Sequence, residues 1–407
     1  MIYRDFFRDQ ANYAFFQTIR GLIDYLPENL RRKDDQFKTG ETEPAPRSPR
    51  WKECLDKTSE RFKPAVGAMY VRKYYQEGTS KAASEMVFDV KKEVVQLIGK
   101  LEWMDENTRK TAIDKALAIQ PHVGYPVEYN DDKELEGRYT GLNFTSSNNY
   151  LEVVNQVILY EENYDFGQIF GLINKTDWRM RMSVTDVNAV YSPQENSIQI
   201  VAGILQGIFY DKDRPQYMNY GGVGYIIGHE VTHGFDNVGR TFDKIGDRKD
   251  WWAEKTSKAF DDKAKCIIKQ YGDIVVPEVG KNLNGEKTQG DNIADNGGIK
   301  IAYLAYNSWV KRNGPELPLP GLNFTAEQLF WITSANCWCG TKSKESYEDD
   351  IATNEHAPER YRVIVPFGNI EYFAKDFNCP LGSKMNPKHK CQDYQVLQSV
   401  IRFLRAL

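Results

Sequence analysis

The chain has 407 residues, of which 41% are hydrophobic and 27% are charged, the composition of an ordinary soluble globular protein with enough core for two or three domains. Its formal net charge of -4 gives no reason to expect nucleic acid or an anionic membrane as a partner. The sequence contains no run of 18 apolar residues that could span a bilayer, and the charged stretch Met1 to Asp9 lacks the apolar region of a signal peptide.

The first 177 residues are predicted to be helical. Apolar residues recur with helical spacing from Asn12 to Leu30, whereas Arg31 to Arg50 is charged, carries prolines and is predicted to be a loop. Asp105 is a plausible helix N-cap, and Pro121 lies just beyond the end of the same helix. Further helices are predicted at 51–75, 81–98, 105–119 and 140–170.

The pattern changes near Trp178. Val184–Tyr191 and Ser197–Val201 are short runs of β-forming residues, and Ser192–Asn196 between them has the composition of a turn. The sequence therefore predicts a pair of strands just before the segment that carries the chemistry.

That segment is Gly224–His233, which contains the pattern His-Glu-x-x-His in an apolar, helix-forming setting. Residues four apart share a helix face, so His229 and His233 can bind one metal ion, while Glu230, about 100° further round, can reach a water beside it. Zinc lowers the pKa of such a water to about 7, and the carboxylate takes its proton as it attacks an amide carbonyl. The alternative is a surface helix with two unrelated histidines, which is disfavoured in a chain with only five histidines.

A catalytic zinc site needs a third protein ligand. Asp291 and Asp295 lie four apart in the glycine-bracketed stretch 290–298 and therefore share a helix face. Asp291 could bind the metal, and Asp295 could accept the other ring N–H of a ligating histidine. The alternative for each aspartate is a solvated helix face.

The C-terminal region that follows the last predicted helix is predicted to be irregular and to carry cysteines. The apolar stripe of the tail (Val396, Leu397, Val400, Ile401, Leu404) is predicted to pack on the body of the protein. Helices are predicted at 251–271, 291–309 and 326–338, with a proline-rich loop at 315–320.

The cysteines and glycosylation triplets indicate an extracellular protein. The six cysteines are widely spaced, and Cys337-x-Cys339 has no matching cluster of zinc-finger spacing, which favours disulfides over a structural metal. Asn143, Asn174 and Asn323 begin Asn-x-Thr acceptor triplets. Since the N-terminus carries no signal peptide, a missing upstream segment would reconcile the two observations.

Several sequence motifs, in their order along the chain, resemble those of the neprilysin-type (M13) zinc metalloendopeptidases, the family that includes the endothelin-converting enzymes. The similarity runs from about Asn12 to Cys391 and is far more specific than His-Glu-x-x-His alone. Its motifs lie at 187–191, 202–206, 229–236, 291–298, 338–340, 356–358 leading to Arg362, and 385–387.

The resemblance implies a role for each matching residue. His229 and His233 match the zinc ligands, Glu230 the general base, and Asp236 and Asp295 the carboxylates behind the histidines. His356 matches the residue that stabilises the oxyanion, and Arg362 the arginine that hydrogen-bonds a substrate carbonyl. Asn188 and Ala189 match the edge-strand residues that hold the substrate backbone.

Specificity, disulfide pairing and location follow from the same resemblance. Ile204, Phe209, Ile226 and Trp338 match an apolar pocket, which implies cleavage of oligopeptides on the amino side of bulky apolar residues. Cys266 and Cys391 match a disulfide pair. The family also implies one zinc ion per chain and an extracellular or cell-surface location.

The chain departs from the family pattern in three ways that bear on activity. One is that the family's C-terminal Cys-x-x-Trp end is replaced by Cys391-Gln392-Asp393-Tyr394 and a tail to Leu407. The family has glutamate where this chain has Asp291; because aspartate is one methylene shorter, its oxygen is expected to fall more than ~1 Å short of the metal, and zinc binding is expected to be weaker. The resemblance also implies that much of the family's N-terminal helical region is not in this sequence, which would leave Cys54, Cys339 and Cys379 without their expected partners. Cys337 is an additional cysteine.

The sequence therefore predicts a mainly α fold with a small β element (α+β). We expect part of a large helical domain over 1–177 and a thermolysin-like zinc-peptidase domain over 178–407. The predicted function is zinc-dependent peptide hydrolysis. The alternative is a catalytically impaired or truncated member of the family that binds peptides.

Overall fold

The protein is described from a computed structural model over residues 2–145, 147–172, 174–175, 177–178 and 181–391. The apolar stripe predicted at 396–404 lies outside these residues. Of the described residues, those within Met1–Ala68 and Val127–Arg179 form one compact unit, and those within Met69–Pro126 and Met180–Leu407 form a second. The domain boundary at 177/178 stays a prediction, and the second unit includes residues 69–126.

Helices dominate both units, which confirms the predicted mainly α fold with a small β element. In the first part of the chain the helices are α1 (Ile2–Leu22), α2 (Glu28–Thr39), α3 (Arg50–Arg61), α4 (Lys63–Tyr74), α5 (Thr79–Gly99), α6 (Glu106–Ala118), α7 (Asp132–Arg138) and α8 (Tyr150–Gln168). Later in the chain they are α9 (Gln216–Asn219), α10 (Tyr225–His233), α11 (Glu254–Gly272), α12 (Gln289–Asn313), α13 (Ala326–Asn336), α14 (Lys344–Thr353), α15 (Glu359–Asn369) and α16 (Glu371–Asp376). Among the described helices, none combines the length and the apolar character that crossing a bilayer requires.

The predicted loop at 31–50 is wrong over its first part, because α2 continues to Thr39. This helix has no apolar stripe to reveal it. Two of its side chains are buried: Arg31, which pairs with Glu53 at 2.8 Å, and Asp34, which pairs with Lys38 at 2.5 Å. Ion pairs rather than an apolar face hold α2 in place.

Two other helical predictions have wrong boundaries. The helix predicted at 51–75 is interrupted at Phe62, because Pro64 has no N–H to continue the ladder and fits the first turn of a new helix. The helix predicted from 140 begins only at Tyr150, where Asn149 and Glu152 form a capping box. Asp105 caps α6 as predicted, accepting hydrogen bonds from the backbone of residues 107 and 108.

The predicted strand pair is confirmed, and it belongs to a three-stranded sheet. Strands β2 (Ala189–Ser192) and β3 (Ser197–Val201) run antiparallel, with Ala189 opposite Ile200. Strand β1 (Gln120–Gly124), in a region predicted to be purely helical, pairs with β3 in parallel, which gives the order β1-β3-β2. A two-residue hairpin, β4 (Val275–Val276) and β5 (Lys281–Asn282), lies further on.

The apolar core of the second unit surrounds α10 and α12, which meet backbone to backbone. A Cβ atom at Gly228 would lie 2.4 Å from the carbonyl oxygen of Gly298, and one at Gly298 would lie 2.5 Å from the backbone nitrogen of His229. Neither position has room for a side chain, so the two helices approach more closely than side-chain packing would allow. This contact sets the distance between the His-Glu-x-x-His helix and the helix that carries Asp291.

The C-terminal region is not irregular as predicted, because α14, α15 and α16 occupy much of it. These helices have 10, 11 and 6 residues, too few turns for a clear apolar period. Packing of aromatic rings stabilises α15 and α16: the ring centroid of Trp331 on α13 lies 5.1 Å from that of Phe367 and 5.5 Å from that of Phe373.

The disulfide between Cys266 and Cys391 is present, with a Cα–Cα distance of 5.6 Å, which confirms the pairing that the resemblance implied. Cys54, Cys337, Cys339 and Cys379 are free. The acceptor residues Asn143, Asn174 and Asn323 are all exposed, as glycosylation requires, and their modification stays a prediction.

Candidate functional site

Helices α10 and α12 bring three metal-ligating atoms together. The Nε2 atoms of His229 and His233 lie 3.0 Å apart, and the Oδ1 atom of Asp291 lies 3.5 Å from the first and 3.6 Å from the second. Tetrahedral zinc with bonds of about 2.0–2.2 Å places neighbouring ligand atoms about 3.3–3.6 Å apart. Both carboxylate distances match this geometry and the histidine pair is slightly closer, so the three side chains fit a zinc ion.

The expected shortfall of the aspartate is not seen in this arrangement. Asp291 is the third residue of α12, and the close contact at Gly298 further along the same helix draws that helix against His229. With α12 held there, the Asp291 oxygen lies at a zinc-ligand spacing from both Nε2 atoms. The expected weaker zinc binding stays a prediction.

A carboxylate stands behind each histidine. Nδ1 of His229 lies 2.8 Å from Oδ1 of Asp295, and Nδ1 of His233 lies 2.6 Å from Oδ2 of Asp236. Each carboxylate holds the proton on Nδ1 and leaves Nε2 free to bind a metal. Asp236 is itself held, because its Oδ1 accepts hydrogen bonds from the backbone N–H of residues 238 and 239 at 2.7 and 2.6 Å.

Arg362 on α15 neutralises the buried Asp295. Two of its nitrogens donate to the two carboxylate oxygens at 2.8 Å each, and its guanidinium lies 4.0 Å from the ring centroid of Trp338. Burial alone would raise the pKa of Asp295. The charges of Arg362 and His229 outweigh this effect and lower the pKa from its ordinary 3.8 to about 2. This ionised carboxylate therefore stabilises the fold above about pH 4, and the contribution is lost as the pH falls through about 2.

We expect Arg362→Met to destabilise the protein by about 3–5 kcal/mol, because it leaves the Asp295 carboxylate buried without a partner. The matched control is Arg360→Met on the same helix, since that arginine is partly exposed and its ion pair with Glu278 is worth about 0–1 kcal/mol. Urea unfolding of both variants tests the difference. Equal losses in the two variants would contradict it.

The metal-ligating atoms lie in one cavity of about 640 Å³. Glu230 lies on its wall beside the ligands, and Asn188 and Ala189 reach it at the start of β2, an edge strand. An edge strand can pair with an extended peptide backbone. The structure places these predicted site residues on the cavity wall: Asn188, Ala189, Ile204, Phe209, Ile226, His229, Glu230, His233, Asp236, Asp291, Trp338, His356 and Arg362. Asp295 lies behind His229, outside the cavity lining.

His356 stands between α14 and α15 with its ring directed at the ligand group. Its Nε2 lies 3.1 Å from Oδ1 of Asp291, and its Nδ1 lies 3.1 Å from Oδ1 of Asn354. Partial burial lowers its pKa, and the Asp291 carboxylate opposes that shift. The imidazole therefore lies where it can donate to an oxygen bound beside the metal position.

Sequence reasoning missed further side chains on the cavity wall, among them Met182, Tyr191, Lys287 and Glu355. Tyr191 belongs to the predicted strand pair, but alternation could not have singled it out, because all of residues 187–191 line the cavity. The other three lie outside regular elements, where no periodic signal exists.

One model described as peptidase family M13 matches residues 188–392, and a second model of the same family, for its N-terminal part, matches residues 2–126. Neprilysin-2 of Drosophila melanogaster is 41% identical over 393 residues, which are 94% of this chain and 51% of the relative. Endothelin-converting enzyme 1 of Rattus norvegicus is 38% identical over 94% of this chain and 50% of its own length. The chain thus spans about half the length of the curated relatives that it matches.

Solved structures show the same fold. The zinc metalloprotease ZMP1 of Mycobacterium tuberculosis, solved with an inhibitor, matches with a TM-score of 0.79 and 26% identity over 93% of this chain and 57% of that one. PepO from Lactobacillus rhamnosis matches with a TM-score of 0.78 and 26% identity over 93% of this chain and 56% of its own.

Proposed function

The chain belongs to peptidase family M13, and we propose that it is a zinc-dependent metalloendopeptidase that hydrolyses oligopeptides on the amino side of bulky apolar residues. The observation that carries the proposal is the single cavity that holds the His229, His233 and Asp291 ligand atoms, Glu230 and an apolar wall. Relatives in the family are metalloendopeptidases, and the ligand atoms of this chain fit their metal.

The chemistry divides between the metal and the side chains of the cavity. Bound zinc supplies a Lewis acid and makes water nucleophilic near neutral pH. Glu230 accepts the proton of the attacking water and passes it to the leaving amine. His356 donates to the carbonyl oxygen as negative charge develops there, and Arg362 keeps Asp295, and through it the His229 ring, in place.

Substrate selection comes from the apolar part of the wall. Ile204, Phe209, Ile226 and Trp338 line the same cavity as the ligands. A large apolar side chain that fills this region leaves water, whereas a charged side chain would lose its hydration without gaining a partner. The family resemblance implies that this region holds the residue after the scissile bond, so we expect cleavage on the amino side of that residue.

A second candidate, a catalytically impaired peptide-binding protein, is favoured by the aspartate at 291. Its carboxylate has one methylene less than the glutamate of the family, and its Oδ1 also lies 3.1 Å from His356. A ligand shared in this way could hold zinc less tightly.

Zinc stoichiometry separates the two candidates. We expect about one zinc per purified chain both in the wild type and in Asp291→Glu, because the Asp291 oxygen already lies at a zinc-ligand spacing from both histidines. Peptides with leucine or phenylalanine after the scissile bond should then be cleaved in preference to the same peptides with aspartate there. Zinc in the Asp291→Glu variant alone would favour the impaired protein, and cleavage without apolar preference would contradict the proposed specificity.

We further propose an extracellular or cell-surface location. The Cys266–Cys391 disulfide and the exposed asparagines of the acceptor triplets support it, since disulfides persist in oxidising compartments. Mass spectrometry of the protein secreted by eukaryotic cells would test glycosylation at Asn143, Asn174 and Asn323.

A further inference from the structure

Lys115 on α6 is a fully buried lysine with an unusual set of partners. Its side chain has 0% exposure, and its Nζ donates to the backbone carbonyls of Gly234 at 2.8 Å, Gly239 at 2.6 Å and Phe242 at 2.7 Å. Three donated hydrogen bonds use all three protons of an ammonium group, so only the charged lysine can make them together. No other common side chain combines this length with three donors at one atom.

The three carbonyls belong to the segment that follows the metal helix. Gly234 comes immediately after His233 and ends α10, where carbonyls lack helical partners and carry partial negative charge. Gly239 begins a short turn that packs so tightly that a Cβ there would lie 1.8 Å from the carbonyl oxygen of His233. Lys115 thus gathers the end of the helix and the turn around one positive charge.

Asp236, the carboxylate behind His233, lies inside this segment. Its Oδ1 accepts from the N–H of Gly239, while the carbonyl of the same glycine accepts from Lys115. Its Oδ2 lies 2.6 Å from Nδ1 of His233. Lys115 is therefore linked to the His233 ring through the backbone of Gly239 and the carboxylate of Asp236, with hydrogen bonds on both sides of that glycine.

The other side chains nearest to the Lys115 ammonium are aromatic. The ring centroids of Tyr191, Phe235 and Trp251 lie 6.0, 5.6 and 5.9 Å from Nζ. Burial lowers the pKa of Lys115 to about 7, against the opposing charges of Asp236 and Asp243. Burying this charge costs free energy that an apolar side chain of similar length would not cost. The ammonium is therefore poorly explained by packing alone.

We propose that Lys115 is a positioning residue for the metal centre, which holds segment 234–242 so that Asp236 orients the His233 ring. The inference rests on the proposed function, because it assumes that His233 binds a metal. The proposal adds Lys115 to the residues that support the metal centre. Lys115 lies more than 100 positions before the ligands in the sequence and donates its hydrogen bonds to backbone carbonyls rather than to a ligand.

A double-mutant cycle on zinc affinity tests the proposal. Zinc dissociation constants would be measured by competition with a chromophoric chelator, with zinc alone as the probe, for the wild type, Lys115→Met, Asp236→Ala and the double variant. We expect each single change to weaken zinc binding by about 10–100-fold, as the loss of partners behind a ligand does. The double variant should bind no more weakly than Asp236→Ala, because both changes break one connection. Wild-type affinity in Lys115→Met, or losses that multiply in the double variant, would overturn the proposal.

Two further variants keep the test decisive. Val94→Ala in the core of α5 serves as a destabilised control and should keep the zinc affinity of the wild type; an equal loss there would refute a specific role. If Lys115→Met does not fold, Lys115→Gln replaces it, and its two N–H donors should leave an intermediate loss of affinity, whereas no loss would refute the proposal.

A readout without metal separates this inference from the proposed function. In the metal-free protein, amide hydrogen exchange at Val238 and Gly239, whose backbone N–H groups donate to Asp236, should be slow in the wild type and faster in Lys115→Met. Unchanged exchange in that variant would refute the positioning role. Slow exchange in a wild type that binds no zinc would instead refute the zinc peptidase.

Discussion

Glu230→Gln is expected to lower kcat by about 10²–10⁴-fold while zinc stays bound. The carboxylate is buried on the cavity wall, beside the ligands but not among them, so its removal takes away the proton acceptor and leaves the metal site intact. Glutamine has the same shape, so the structure should not change. KM should change little, because the proposed substrate-binding residues on β2 and in the apolar wall are unchanged.

The measurement is steady-state hydrolysis of a fluorogenic peptide with leucine after the scissile bond, with zinc content determined on the same preparation. Glu254→Gln, an exposed glutamate at the start of α11, makes the same chemical change away from the cavity and should keep full activity. Retained kcat in Glu230→Gln would show that another group accepts the proton. Loss of zinc in that variant would show that Glu230 serves the metal site rather than the chemistry.

His233→Ala is expected to weaken zinc binding by more than about 100-fold, the upper limit for losing an outer partner, and to abolish hydrolysis. The change removes one of three ligand atoms and also deprives Asp236 of the ring that it holds. Chelator competition and metal analysis after dialysis measure the loss. His389→Ala, at an exposed histidine, should bind zinc as the wild type does. Near-normal affinity in His233→Ala would mean that another side chain takes its place and that the predicted ligand set is wrong.

Local spacing explains why much of the metal centre is predictable. The 229–233 spacing places two imidazoles on one helix face whatever surrounds the helix, and the 291–295 spacing does the same for two carboxylates. Which carboxylate faces which ring depends on how α10 and α12 pack, and the glycines at 228 and 298 carry that information only once their contact is seen. The roles of the distant His356 and Arg362 came from the family resemblance, because no periodic pattern links them to the histidines.

Features that depend on tertiary contacts are not visible in local patterns. Strand β1 contains Pro121 and has no clear alternation, and it forms only because β3, about 75 positions later, offers a parallel partner. Helix α2 depends on ion pairs to α3 and within itself, so its sequence looks like a solvated loop. Lys115 shows the same limitation: within an amphipathic helix a lysine indicates a solvated face, and only the packing of segment 234–242 against it makes it a buried cation.

The main-chain contact between Gly228 and Gly298 fixes the separation of α10 and α12 where the two helices touch. Two helices that touch through backbone atoms are separated by fixed atomic radii, whereas helices that touch through leucines or valines shift as those side chains are exchanged. Conservative exchanges of apolar side chains elsewhere in the core are therefore expected to lower the melting temperature before they change the distance between these two helices. A side chain added at Gly228 or Gly298 would instead push the helices apart, and the ligand atoms with them.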